Sequence, residues 1–152
     1  MISQKAKYAL RALVALARAP RGEPVLISDI AEDQSIPKKF LEQILLDLKH
    51  HGIVVSRRGR AGGYQLLKDP AEITFGQVLR IIDGPIAPLP CLSKIAYRRC
   101  EDCVSETECE VRRVFAEVTD ATRRVLDTAT LADAIAEPGA RPARMRDLAG
   151  VE

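Results

Sequence analysis

The chain has 152 residues, of which 47% are hydrophobic and 29% charged, with 23 Lys/Arg against 21 Asp/Glu and a formal net charge of +2. That length holds one compact domain with an appended element, and the balance excludes a globally disordered chain. No apolar run approaches the ~20 residues needed to cross a bilayer, and the opening Met1-Ile2-Ser3-Gln4-Lys5 has no signal-peptide core, so no membrane partner and a cytoplasmic location are expected.

Charge and cysteine are unevenly spread. Residues 1–84 carry 13 Lys/Arg against 9 Asp/Glu, whereas residues 85–152 carry 10 against 12, a basic front on a slightly acidic back. All four cysteines fall between positions 91 and 109. In a chain with no secretion signal, that clustering points to a metal, a cluster or redox chemistry rather than to a disulfide framework.

The first predicted helix spans about Ser3 to Arg18, with Ala6, Ala9, Leu10, Leu13, Val14 and Ala17 at helical spacing. Lys7, Arg11 and Arg18 form a cationic stripe on another face, which by itself reads first as a solvated surface. Pro20, Gly22 and Pro24 end it. Ser28 is expected to cap a short helix over about 29–34, and Ser35 the next, with Pro37 in its first turn. That third helix runs to about His50, turning Phe40, Leu41, Ile44, Leu45 and Leu48 inward, with Gly52 as its stop. Two short helices joined by a tight turn match helix-turn-helix spacing.

The period then changes. Ile53–Arg57 and Tyr64–Leu67 read as two strands joined by Arg58-Gly59-Arg60-Ala61-Gly62-Gly63, a hairpin with a basic, glycine-rich tip. A hairpin directly after a helix-turn-helix is a wing. Thr74 with Gln77, and Ile73 with Val78, signal a helix from Phe75 to about Ile82. Gly84, Pro85, Pro88 and Pro90 mark a hinge into the cysteine segment. Beyond it, a long helix over about 110–132 places Val111, Phe115, Val118, Thr122, Val125 and Ala129 at heptad spacing, the expected seam of a homodimer. The other packing open to it is back against its own domain. The expected organisation is a DNA-binding domain (1–84), a cysteine loop (85–109), a dimerisation helix (110–132) and a mobile tail (133–152). The fold class is mainly α with a small β-hairpin, a winged helix-turn-helix plus a long C-terminal dimerisation helix.

Cations placed against phosphates supply most DNA affinity, and side chains reaching base edges read sequence. The third helix offers Lys38, Lys39, Gln43 and Glu42 on its exposed face, with Lys7 and Ser28 on the preceding helices. The wing offers Arg57, Arg58 and Arg60, with Tyr64 beside them; Gly59, Gly62 and Gly63, lacking a Cβ, are expected to let its backbone approach the minor groove. An enzyme is excluded, along with a small-molecule substrate. There is no phosphate-cradling glycine motif, no nucleophile with a paired base, and His50 and His51 are merely adjacent at a helix end.

Three segments carry a resemblance. Ala6-Lys7-Tyr8-Ala9-Leu10-Arg11-Ala12-Leu13, Pro37-Lys38-Lys39-Phe40-Leu41-Glu42-Gln43-Ile44-Leu45 and Arg58-Gly59-Arg60-Ala61-Gly62-Gly63-Tyr64 resemble the IscR/NsrR-type winged-helix regulators over roughly residues 1–131. The resemblance implies a homodimeric transcription factor on a dyad-symmetric double-stranded DNA site, its long helix crossing that of its partner.

Cys91, Cys100, Cys103 and Cys109 are separated by eight, two and five residues. Spacing alone leaves structural zinc, an iron–sulfur cluster and thiol redox chemistry open. The resemblance favours a cluster, of the 2Fe-2S or 4Fe-4S type. Cluster-binding members carry three cysteines in this loop, the last two five residues apart, which maps onto Cys91, Cys103 and Cys109. Two departures follow. The histidine that is the fourth ligand in the iron–sulfur assembly regulator corresponds to Arg112, and the region that supplies an acidic ligand in the nitric-oxide sensor holds Lys7 and Tyr8. The additional Cys100 is therefore expected as the fourth ligand, with Arg98, Arg99, Arg112 and Arg113 near enough in sequence to offset cluster charge.

Overall fold

The computed structural model describes residues 2–143. Eight principal elements follow in order: α1 (Gln4–Arg18), α2 (Ile27–Asp33), α3 (Lys38–His50), β1 (Val54–Arg57), β2 (Gly63–Leu66), α4 (Phe75–Asp83), α5 (Glu110–Leu126) and α6 (Leu131–Ile135). The architecture is the expected one, a helical domain with a two-stranded antiparallel wing and a long helix after the cysteine loop. No helix among the described residues is long and apolar enough to cross a membrane.

Helix α1 is the central strut. Ser3 caps it, its hydroxyl accepting from the Ala6 N–H at 3.0 Å. Ala6, Ala9 and Ala12 are fully buried, and such short side chains let neighbouring backbones approach closely. Leu13, Leu41, Ile44, Leu45, Leu48, Ile53, Ile73, Val78 and Leu131 complete the core, all fully buried. Each such burial is worth roughly 1.5–3 kcal/mol over leaving the side chain in water.

The helix-turn-helix joint is built differently from the expected serine caps. Helix α2 begins at Ile27 with Leu26 at its N-cap and no side-chain cap, so Ser28 lies inside its first turn, exposed, with its hydroxyl 3.3 Å from Asp29 Oδ1. Helix α3 has Pro37 at its N-cap, again without a side-chain cap. Ser35 instead takes the left-handed conformation, at φ 50°, which reverses the chain. Ile36 then drops into the core and its N–H donates to the Ala31 carbonyl at 2.9 Å. The Arg11 guanidinium ties the joint to α1 by donating to the Gln34 carbonyl. At the far end of α3, Gly52 donates to Lys49 (3.0 Å) and Ile53 to Leu48 (2.9 Å), closing the helix with Gly52 at φ 68°.

In the wing, Val54 pairs with Leu66 and Arg57 with Gly63. A further pairing comes from before α2: Val25 and Tyr64 exchange both backbone hydrogen bonds at 2.8 Å. The wing is thereby fastened to the domain at its base.

The last part of the chain departs from the single-helix expectation. Helix α5 stops at Leu126, six residues short of 132. Its C-cap Asp127 is held by Arg80 of α4, at 2.7 Å. The chain then runs beside Ile73–Phe75, where Phe75 donates to the Ala129 carbonyl (2.9 Å) and Leu131 to the Ile73 carbonyl (3.0 Å). Thr130 and Asp133 form a reciprocal capping box on α6, which seats Leu131 in the core. A 3₁₀ turn follows at Pro138–Ala140, and the rest of the expected tail, residues 144–152, lies outside the described residues.

Candidate DNA interface and cysteine cleft

One face of α3 is spent on the core through Leu41, Ile44, Leu45 and Leu48. The opposite face presents Lys38, Lys39, Glu42 and Gln43 to solvent. Lys38, Lys39 and Gln43 have no hydrogen bond or ion pair among the described residues, so their polar groups are free for a partner. Phe40, expected inward, is 37% exposed and meets Tyr8 of α1 edge-on at 5.7 Å. That contact sets the start of α3 against α1 beside the exposed Lys7.

Arg57, Arg58 and Arg60 are exposed at the wing tip, three cations within four residues. The glycines beside them are held in close packing within the chain. A Cβ on Gly62 would lie 2.5 Å from the Arg57 carbonyl oxygen, and one on Gly63, at φ 144°, 2.3 Å from that of Val25. Both are required by close approaches within the chain. Tyr64 is half-buried against the core and pairs with Val25. Its position is that of a strut at the base of the wing.

Beyond α4 the chain makes a 3₁₀ turn at Pro90–Leu92 that buries Cys91, 6% exposed, against α5. Arg123 of α5 fastens this turn by donating to the Leu92 carbonyl at 2.8 Å. Cys100 and Cys103 share a tight turn, in which the Cys103 N–H donates to the Cys100 carbonyl at 3.2 Å. Arg99 closes it from outside through the carbonyls of Cys103 (2.9 Å) and Val104 (3.3 Å). Tyr97 clasps the ends of this stretch by donating to the Glu106 carboxylate at 2.8 Å. Cys109 is the N-cap of α5, its Sγ accepting from the Arg112 N–H at 3.3 Å. Desolvation, then the charge of and hydrogen bond with Cys91, push the Cys100 thiol above its ordinary value.

All four cysteines are free and line one cleft of ≈ 670 Å³ between the loop and the start of α5. Arg112 lines the same cleft, and its Nε is buried without a hydrogen-bond partner among the described residues. Four soft donors, a helix N-terminus and an unsatisfied cationic N–H suit a thiolate-bound, negatively charged group. Among the described residues no three His, Cys, Asp or Glu side chains converge as they would around one metal ion.

On α5, Val111, Val114, Phe115, Val118 and Val125 are all exposed, at 56, 61, 39, 47 and 50%. Thr122 is half-buried, and Ala129 is buried within its own chain, where it cannot belong to the exposed stripe. Val114 was not singled out in the sequence, because it falls between heptad positions.

The family model described as an iron-dependent transcriptional regulator, Rrf2, matches residues 2–137. The chain belongs to the Rrf2 family. It is 52% identical over 139 residues to an rrf2-like HTH-type transcriptional regulator of Rhodobacter capsulatus, covering 90% of this chain and 93% of that one. The solved structure of CymR, the global cysteine regulator of B. subtilis, is similar with a TM-score of 0.74 at 32% identity, over 88% of this chain and 95% of that one. The IscR structure from T. potens is similar with a TM-score of 0.69 at 29% identity, over 93% and 92%. This Rrf2 chain is thus a winged-helix, DNA-binding transcriptional regulator and not an enzyme. Sequence reasoning missed the Arg11 tie and the Tyr97–Glu106 clasp, because each pairs groups that no local pattern links, and the buried Arg112 Nε, because burial of one side-chain atom is set by packing.

Proposed function

We propose that this Rrf2 regulator is a cytoplasmic homodimer whose affinity for a dyad-symmetric operator is set by an iron–sulfur cluster on Cys91, Cys100, Cys103 and Cys109. The observation that carries this reading is that all four thiols line one cleft whose wall is the first turn of α5. When bound, such a cluster supplies a centre that changes charge by one electron and is lost on oxidation.

The chain's own residues make the connection to DNA. Cys109 caps α5, and Cys91 lies against it in a turn that Arg123 fastens to the same helix. The other end of α5 is locked to the DNA-binding domain by Arg80–Asp127 and by the Phe75 bond to Ala129. A change in the cysteine loop is therefore delivered to α5, and from there to the spacing of the two recognition helices. Val111, Phe115, Val118, Thr122 and Val125, joined by Val114, form the seam with the partner copy, since so long an apolar stripe needs a cover. Lys38, Lys39 and Gln43 enter the major groove, with Lys7 and Ser28 at its edge and Arg57, Arg58 and Arg60 on flanking phosphates.

A second reading has its own support. The neighbouring Cys91 and Cys100 thiols and the likeness to CymR favour a regulator that senses through thiol oxidation without metal. Protein purified without oxygen and examined by visible absorption, with iron and zinc analysis and operator binding before and after air, separates the readings. Broad iron–sulfur absorption with operator affinity that changes on bleaching is the expected result. Colourless, metal-free protein whose affinity still responds to a peroxide selects thiol chemistry, and stoichiometric zinc with unresponsive affinity removes the sensor.

A further inference from the structure

The Arg112 side chain makes an unusual demand on its surroundings. Its backbone N–H donates to Cys109 Sγ, and its side chain lines the cleft shared by all four cysteines. Its Nε nevertheless has no acceptor among the described residues and is closed off from solvent. A buried cationic donor without an acceptor is costly, which makes this Nε a site for a bound acceptor. The sulfurs of a thiolate-ligated cluster are acceptors of the right charge in the same cleft. The exposed neighbour Arg113 has no such placement.

We propose that Arg112 is a positioning residue that donates an N–H···S hydrogen bond to the cluster and raises its reduction potential. The inference rests on the cluster reading above. One-electron reduction adds one negative charge to the cluster and its thiolates, breaks no bond and moves no proton. A fixed cationic donor stabilises the more negative form, which favours reduction. A charge-assisted hydrogen bond is worth roughly a tenfold change in an equilibrium constant.

The test is a dye-mediated dithionite titration of the anaerobically reconstituted full chain, followed by visible absorption and electron paramagnetic resonance. Arg112→Gln is expected to lower the reduced-to-oxidised ratio at fixed potential about tenfold, about 59 mV for a one-electron couple. Arg113→Gln removes the same charge one residue away and is expected to change it less than about twofold. Arg112→Lys, which keeps the charge but not the guanidinium Nε, should fall nearer to Arg112→Gln than to wild type. Equal shifts for Arg112→Gln and Arg113→Gln, or none at Arg112, overturn the hydrogen bond while leaving the cluster in place. A wild-type protein that takes up no cluster on reconstitution overturns the cluster reading and this inference together.

Discussion

Gly63 offers a sharp test of how the wing is built. A Cβ there would lie 2.3 Å from the Val25 carbonyl oxygen and 2.6 Å from its carbonyl carbon, whereas one on Gly59 would meet nothing within 4 Å. Both glycines have positive φ, at 144° and 105°, so replacing either with alanine carries a backbone cost of about 1–3 kcal/mol. Gly63→Ala carries a further term. To escape the overlap, β2 must retreat from Val25, breaking the two 2.8 Å bonds between Val25 and Tyr64. At about 1 kcal/mol each, the two alanine variants should differ by about 2 kcal/mol. For a chain of this size that is roughly 4–8 °C in melting temperature. The assay is thermal unfolding of both variants by circular dichroism at matched concentration. Equal losses at the two sites would refute the packing argument. If Gly63→Ala kept full stability and lost DNA affinity alone, the glycine would serve the groove rather than the fold.

Three other outcomes follow from the geometry. Lys38→Ala, Lys39→Ala and Arg58→Ala should each flatten the log affinity against log salt slope for duplex DNA by about 0.9 for every phosphate left without its cation, and an unchanged slope at all three would remove this face from the interface. Phe115→Asp combined with Val118→Asp should convert a dimer to a folded monomer in sedimentation equilibrium, since both lie on the exposed stripe of α5; a persisting dimer would place the seam elsewhere. The hydrogen bond to Glu106, then desolvation and the Glu106 charge, raise the Tyr97 phenol above its ordinary 10.0. The neutral phenol is the favoured form, so the clasp is fully present below that value and is lost as pH rises through the raised one. Absorbance at 295 nm, taken as a difference from Tyr97→Phe, should show the Tyr97 midpoint fall in Glu106→Gln, and an unmoved midpoint rejects the pairing.

Both proposals about α5 concern the same mechanical link. The helix is tied near its C-terminal end by Arg80–Asp127 and by the Arg123 bond to Leu92, and at its start it is capped by Cys109 of the cysteine loop. Its middle is left with an apolar face and no cover within the described residues of the chain. A helix anchored at one end and joined at its start to the cysteine loop carries a displacement of that loop along its length, because a packed helix moves as a rigid body.

Local pattern was enough for most elements. The period of apolar residues set α1 and α3, Thr74 and its bond to the Gln77 N–H started α4, and the change from period 3.6 to period 2 after Gly52 announced the hairpin. The four clustered cysteines and the exposed basic residues of α3 and the wing were equally legible, because each depends on residue type and near spacing. What only the tertiary structure decided involves partners far apart in sequence. Ser35 reverses the chain in place of a cap because Arg11 and the seat of Ile36 hold the joint, at distances no local signal encodes. The glycine-rich wing tip placed Gly62 and Gly63 near the minor groove, and only packing shows that a side chain on Gly63 would overlap Val25, 38 positions earlier. The heptad ran on through Ala129, but the pairing of residues 129–131 with 73–75 withdraws that segment into the core. Spacing reports which face a side chain takes on its own element, and only packing reports what that face meets.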